Sequence, residues 1–163
     1  VEFPPPAGRR RIHTCDVPDL ELFPGAFGAE TVRFGAGLEL GLLNRALSAL
    51  GAARSRFDLD GLPAWAPLLV RASRLLLPFG STCGALGVWV TGRAPDGTRR
   101  TRSMALLAER DGPAVACAPA VLLARRMLDG TVERVGAMPC LGLLGFDELT
   151  AHLRSHGVRC VRG

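Results

Sequence analysis

The stretch "ALGVWVTGRAPDGTRRTRSMALLAER" at residues 85–110 decides the fold class of this chain. Two runs rich in β-forming residues flank Pro95-Asp96-Gly97. The proline presets φ at the first turn position, and the glycine supplies a positive φ where the chain closes back. The stretch therefore predicts a β-hairpin, and a hairpin requires antiparallel pairing.

Helical and strand-like patterns surround this hairpin without a strict alternation of strand and helix. Apolar spacings of three and four, with Pro and Gly at the ends, predict helices at residues 38–52, 64–80, 119–130 and 146–157. Shorter β-rich runs predict strands at residues 9–16, 29–37, 131–135 and 158–161. Together they predict one α+β domain over residues 1–163, with an antiparallel or mixed β-sheet and helices packed on one face.

The predicted helix at residues 64–80 is apolar nearly all round. Its only charged residues are Arg71 and Arg74, one helical turn apart. Such a helix is buried in a core or lies against a partner subunit, a second domain or a membrane surface. It is too short to span a bilayer, so any membrane contact is expected to be peripheral.

Gly80, Gly84 and Gly87 suggest a phosphate-binding loop, but their context argues against one. A dinucleotide fingerprint places its glycines after a strand and before a helix, and here they follow a helix and lead into a strand. Their spacing also departs from G-x-G-x-x-G, and no lysine follows to form a P-loop. We therefore expect these glycines to end a helix and to form the loop that leads into the sheet. We also expect no cofactor to bind this chain alone.

The bulk composition excludes several function classes. The net charge is +5, but all 20 Lys/Arg residues are arginine, Tyr is absent and aromatic residues make up 6%, so we expect no nucleic-acid binding. The five cysteines are odd in number and form no C-x-x-C pair, which is typical of reduced, mostly buried thiols in a cytoplasmic protein. We predict no catalytic residues, because no nucleophile elbow, H-E-x-x-H motif or evident carboxylate pair occurs.

Histidine and cysteine placement also predicts no metal site. His152 and His156 lie one helical turn apart, but no third ligand is evident at a suitable spacing. Cys83 lies among the glycines and would be reactive only if it were exposed near positive charge. A small buried thiol is the favoured interpretation.

A longer series of segments resembles one known family. "FPPPAGRRRIHTCDVPDLELFP", "AETVRFGAGLELGLLNRALSALG", "GSTCGALGVWVTGRAPDGTRR", "CAPAVLLARRMLDGTVERVGAMPCLGLL" and "LRSHGV" follow one another along nearly the whole chain. Their order and spacing resemble the C-terminal half of saccharopine dehydrogenase-like oxidoreductases. The resemblance implies a mixed sheet, one wall of a cleft for a small-molecule substrate, and a contact that forms a homodimer. It also implies an N-terminal Rossmann domain that binds NAD or NADP in the full-length protein.

The resemblance suggests two substrate-binding candidates. Asp19 lies in a segment that carries a histidine and acidic groups near the substrate in amino-acid-forming relatives, although Val17 stands at the expected histidine position. Arg33 could bind a substrate carboxylate through two hydrogen bonds. The ordinary alternatives remain open: Asp19 as an acid at a helix start, and Arg33 as a solvent-facing strand residue. The other functional hypothesis is a stand-alone module that dimerises or binds a lipid surface.

Overall fold

A computed structural model describes residues 1–57 and 62–163, and side chains for residues 1–57 and 64–163. The described residues form helices and two antiparallel sheets, which confirms the predicted α+β class. The chain divides into two compact units, which are called unit 1 and unit 2 below. Unit 1 comprises Val1–Glu2 and Arg9–Ser81, and unit 2 comprises Phe3–Gly8 and Thr82–Gly163.

Unit 1 is mostly helical. Its short strands β1 (His13–Thr14) and β2 (Gly35–Ala36) pair antiparallel. Its α-helices are α1 (Asp19–Phe27), α2 (Gly41–Arg56) and α3 (Ala66–Arg74), and Leu62–Trp65 and Leu77–Phe79 form single 3-10 turns.

The two strands of unit 1 are shorter than the sequence predicts. Each was expected to span eight or nine residues, and each contains two. The two segments approach so closely that a Cβ on Gly37 would lie 2.1 Å from the carbonyl oxygen of Arg11. The two-residue ladder ends beside this close approach, and most of the remaining residues of both segments are irregular.

Helix α2 also differs from its prediction, because it continues past Gly51 to Arg56. A Cβ on Gly51 would meet no atom within 4 Å, and the φ of Gly51 is not positive. A glycine inside a helix costs only about 1 kcal/mol relative to alanine, which does not suffice to end the helix here.

Unit 2 is built on a three-stranded antiparallel sheet. The hairpin is confirmed: β3 (Gly84–Arg93) pairs with β4 (Arg99–Ala108) along its full length, and β5 (Val158–Arg162) pairs with the other edge of β4. Gly97 has φ 80° at the turn. The Thr98 hydroxyl and N–H both donate to the Asp96 carboxylate, which lowers the pKa of this carboxyl.

Two helices pack on one face of this sheet, as expected. They are α4 (Gly112–Leu128) and α5 (Phe146–Ser155). Helix α4 begins seven residues before Pro119, where the sequence predicted its start. Its buried residues Val115, Ala118 and Leu122 lie on both sides of the proline. Their burial stabilises a helix that contains an internal proline.

Of the remaining elements predicted for unit 2, one helix and one strand are confirmed, and the prediction of a further strand is wrong. Helix α5 and strand β5 are both present, and Gly157 between them has φ 74°. The strand predicted at residues 131–135 does not form. The N–H of Thr131 instead donates to the Arg126 carbonyl at 2.9 Å, which closes the end of α4 and directs the chain into a loop.

The C-terminal half of β4 in unit 2 is covered on both faces of the sheet. On the helical face, Leu106 and Ala108 of β4 pack with Val115, Ala118 and Leu153. On the other face, Ala105 and Leu107 pack with Ala7, and the partly buried Phe3, Cys83, Ala85 and Val161 surround them. Unit 2 is thus a three-layer arrangement of helices, sheet and the Phe3–Gly8 segment.

Candidate functional site

The structure places both predicted substrate-binding residues in unit 1. Asp19 is the first residue of α1 and is half-buried, where the positive end of the helix favours a carboxylate. Arg33 is exposed in the segment before β2. The ion pairs and hydrogen bonds found in the described part of the chain involve other residues, so the structure does not bring these two side chains together. Their role in substrate binding stays a prediction.

The three glycines of the supposed phosphate loop have structural roles. Gly80 ends the 3-10 turn Leu77–Phe79, and Gly84 begins β3. A Cβ on Gly84 would lie 2.5 Å from the Cα of Gly112, so the start of β3 touches the start of α4 backbone to backbone. A Cβ on Gly87 would lie 2.4 Å from the Trp89 ring. Close packing therefore explains Gly84 and Gly87 without a bound phosphate.

Titratable side chains form few groups that could perform chemistry. The rings of His152 and His156 lie 4.6 Å apart, as their helical spacing implies. Within the residues that the structure describes, no group of three or more His, Cys, Asp or Glu side chains could hold a metal ion. Cys83 is half-buried beside the Ala105–Leu107 cluster. The expectation of mostly buried thiols is wrong, because Cys117 and Cys140 are exposed and the other three cysteines are only half-buried.

A shallow pocket of about 210 Å³ lies beside the C-terminal end of α4. Arg126 lines it, but this guanidinium already donates to Glu148 at 2.5 and 3.1 Å and to the Leu143 carbonyl at 2.9 Å. These contacts tie α4 to α5 and the preceding loop. One of the two arginines that line this pocket, Arg126, therefore serves to connect α4 with α5 and the loop before it, while Arg134 also lines the pocket.

The most conspicuous surface of unit 1 is one face of α3 and its flanking turns. We define the α3 face as Trp65, Leu68, Leu69, Ala72, Leu75 and Leu76, whose spacing of three and four puts them on one side of a helix. Their exposed fractions include 58% for Trp65, 57% for Leu68 and 77% for Leu75. This spacing is typical of a helix packed against another surface, and yet all residues of the face except the half-buried Leu76 are exposed to solvent.

The two charged residues of α3 itself have the same sign. Arg71 borders the face, and Arg74 lies on the opposite side of the helix. No acidic residue occurs between residues 62 and 81. A surface that complements this helix would therefore combine apolar contacts with acidic or anionic groups.

Unit 2 exposes a second apolar surface on its edge strand. We define the β3 row as Leu86, Val88 and Val90, which alternate along β3 and point to the helical face of the sheet. They are 46%, 50% and 63% exposed. Helix α4 approaches β3 at Gly84, so the row lies beyond the area that the helices cover.

The opposite side of β3 is partly covered. Trp89 packs against Phe3 with ring centroids 5.6 Å apart in an edge-to-face arrangement. Strand β4 pairs with one edge of β3, and no other strand of the described residues pairs with its outer edge. The N–H and C=O groups along this edge are therefore available for pairing with a further strand.

Comparison with protein-family models, with curated proteins and with solved structures gives no match for this chain. The resemblance to saccharopine dehydrogenase-like proteins therefore rests on the quoted segments alone. None of the helices in the described ranges is long and apolar enough to cross a membrane.

Sequence reasoning identified the apolar helix but missed the β3 row. The helix was evident because it contains only two charges in 17 residues. The β3 row was harder to identify, because "VWV" at residues 88–90 is apolar on both faces of the strand. The alternation that would mark one face as exposed is therefore absent.

Proposed function

We propose that this chain is the substrate-side and dimerisation part of a saccharopine dehydrogenase-like, NAD(P)-dependent oxidoreductase. In this proposal, a separate nucleotide-binding domain supplies the cofactor and hydride transfer occurs where the two parts meet. The observation that carries the proposal is the exposed α3 face, a regular apolar surface that no element of the described residues covers.

The composition of unit 1 supports this role. Asn44 is its only buried residue among the described side chains, and no apolar side chain of unit 1 is buried. Removing apolar surface from water contributes about 25 cal/mol per Å², so an uncovered face of this kind forgoes a large stabilisation. A partner domain that covers the α3 face would supply it.

The charges support a partner with acidic groups rather than a second α3. Two copies of α3 packed antiparallel would place Arg71 of each copy at the same border of the contact, where like charges repel. A nucleotide-binding domain that carries acidic residues beside an apolar patch would avoid this repulsion. The homodimer contact of the proposal is therefore assigned to another surface.

Cofactor titration tests whether a separate domain, and not this chain, binds the cofactor. We expect neither NADH nor NADPH to bind the isolated chain in calorimetry or fluorescence titration, because the glycines near β3 serve packing. Tight, stoichiometric binding of either cofactor would contradict the proposal. Sedimentation of the same sample tests dimerisation, for which we expect a mass twice that of the 17.2 kDa chain.

The α3 face also supports a second candidate function, contact with an anionic membrane surface. An apolar side with Trp65 and four leucines, together with arginine as the only charged residue type in the helix, is typical of helices that lie in the headgroup region. Flotation with vesicles of phosphatidylserine and phosphatidylcholine distinguishes the membrane candidate from the oxidoreductase proposal. The first proposal expects no flotation; the membrane candidate expects flotation that high salt weakens.

A matched pair of variants makes the flotation result specific to the α3 face. Leu69→Gln changes the face, whereas Val70→Gln changes the opposite side of the same helix, at exposed fractions of 46% and 52%. Flotation lost only in Leu69→Gln would support the membrane candidate. Flotation that both variants retain or lose equally would contradict a role for the face.

A further inference from the structure

The outer edge of β3 has the features of an interface between two copies of this chain. We propose that two copies pair antiparallel along β3 across a twofold axis at Val88, which would join their sheets into one of six strands. The inference rests on the dimerisation part of the proposed function and names the surface responsible. It concerns unit 2 alone and does not involve the α3 face.

The first support is that this edge carries none of the usual protection against pairing. From Gly84 to Gly92, β3 contains no charged residue and no proline. Natural edge strands normally avoid pairing through such residues, through bulges or through short length. Strand β3 instead pairs with β4 over all ten residues without a break in register.

The second support is the contrast with the other edge of the same sheet. Strand β5 is only five residues long and carries Arg159 and Arg162. Arg159 is committed to Glu109 at 3.2 Å and to the Pro5 carbonyl at 3.1 Å. Short length and charge protect β5, so the open edge for strand addition is β3.

The third support is the self-complementarity of the β3 row about Val88. An antiparallel pair centred there places Val88 opposite its own copy and Leu86 opposite Val90 of the second copy. The two rows then lie side by side and cover each other.

The fourth support is the distribution of charge along the hairpin. Arg93, Arg99, Arg100 and Arg102 are all exposed near its turn. In the antiparallel arrangement, the Arg93 residues of the two copies are ten positions apart, or about 34 Å, well beyond the screening length at physiological salt. A parallel pair would instead align the two arginine clusters, so charge favours the antiparallel orientation.

Cysteine cross-linking tests both the surface and the register. The test is made in the full chain with Cys117→Ser and Cys140→Ser, because those two thiols are exposed. On the twofold axis, two copies of residue 88 have Cα atoms about 4.5–5.5 Å apart, within the range that a disulfide spans. Mild oxidation of Val88→Cys should therefore convert it to a covalent dimer on a non-reducing gel.

Two neighbouring positions provide the register control. Val90→Cys alone should stay largely monomeric on the gel, because its two copies lie four positions apart, although it is more exposed than Val88. Mixing Val90→Cys with Leu86→Cys should restore the covalent dimer. Equal cross-linking of Val88→Cys and Val90→Cys, or no cross-linking in the mixture, would overturn the proposed register.

A charge substitution supplies a second measurement that needs no disulfide. Val88→Arg places two like charges opposite each other and should convert the dimer to monomer in sedimentation, whereas Val88→Thr should remain a dimer. Circular dichroism checks that both variants stay folded. A dimer mass unchanged in Val88→Arg, with no cross-link at Val88→Cys, would overturn the β3 interface and leave dimerisation intact. A monomeric parent chain would instead overturn dimerisation itself.

Discussion

Units 1 and 2 contain similar lengths of chain but differ in how they are stabilised. Unit 2 buries apolar side chains on both faces of its sheet, and Leu107 and Ala108 have no exposed surface. Unit 1 buries only the polar Asn44 among its described side chains, while Leu68, Leu75 and Phe79 are more than half exposed. The difference indicates that unit 2 can serve as a self-sufficient scaffold, whereas the described side chains of unit 1 form no buried apolar core.

In unit 1, hydrogen bonds at the buried Asn44 and at the exposed Glu39 connect segments that no buried apolar side chain joins among the described residues. The side chain of Asn44 accepts from the Leu38 N–H at 3.0 Å and donates to the Leu38 carbonyl at 2.7 Å. Glu39 accepts from the Ser81 N–H at 2.6 Å and from Arg10 at 3.3 Å. Such contacts specify where segments lie, but each contributes only about 1 kcal/mol, so a unit held by them gains much from a covering partner.

The largest expected effect contrasts one leucine from each unit. Leu107→Ala in β4 should lower the free energy of unfolding by about 2–5 kcal/mol, because it creates a cavity in a fully buried site. Leu69→Ala on the α3 face removes the same atoms at a half-exposed site. It should change the free energy of unfolding by less than about 0.5 kcal/mol. Urea unfolding followed by circular dichroism measures both, and equal effects would contradict the contrast.

The second prediction probes the close approach inside unit 2. Gly84→Ala should cost about 1–3 kcal/mol, because the new Cβ meets the Gly112 backbone and neither backbone can yield without a shift. Gly92→Ala is the control, since it lies in the same strand with no atom within 4 Å of the new Cβ. Thermal unfolding of the two variants gives the comparison. A Gly84→Ala protein as stable as Gly92→Ala would refute the backbone contact.

The third prediction probes the polar interior of unit 1. Asn44→Ala leaves the Leu38 N–H and carbonyl without their partner and should cost about 1–3 kcal/mol of local stability. Amide hydrogen exchange in α2 and the residues before it should accelerate, while exchange in β4 stays unchanged. Arg45→Ala alters an exposed neighbour in the same helix and should leave both rates as they are.

The smallest expected effect concerns pH. The Ser81 N–H and then its hydroxyl, together with Arg10, hold the pKa of Glu39 below its ordinary value of 4.5. A carboxyl with a lowered folded-state pKa stabilises the fold above the ordinary value and loses this contribution as pH falls through the lowered one. Glu39→Gln should remove this acid-side loss, which we expect to be below about 1 kcal/mol at so exposed a site.

Stability measured at pH 7 and pH 3 checks the Glu39 prediction. Glu30→Gln makes the same charge change at an exposed position of unit 1 and serves as the control. A parent chain and a Glu39→Gln variant that lose the same stability on acidification would show that the Ser81 contact contributes nothing.

Sequence patterns predicted unit 2 better than unit 1, for a physical reason. The hairpin turn at Pro95-Asp96-Gly97 and the apolar stripe of α5 are local signals, and both elements formed as expected. Strands β1 and β2 end beside the close approach of Gly37 to the Arg11 carbonyl. Arg11 and Gly37 are distant in sequence, so no local pattern reveals this approach. Likewise, the start of α4 depends on burial against β4, which stabilises the helix despite Pro119.

The candidate functional surfaces were predictable only in part. The apolar sequence of the α3 face indicated burial or a partner, and its exposure became evident only from the fold. Asp19 and Arg33 came from a resemblance, and their side chains do not meet in the described structure. The exposed β3 row depends on where α4 and α5 end on the sheet, which is a property of packing and not of strand sequence.

Hydrogen exchange of the isolated chain, resolved by peptide, tests the central contrast between the units most directly. We expect amides of β4 and α5 to exchange only through global unfolding, and amides of α3 to exchange orders of magnitude faster through local opening. This result would establish unit 2 as the scaffold and α3 as a face that needs a partner. Protection of α3 equal to that of β4 would contradict the account.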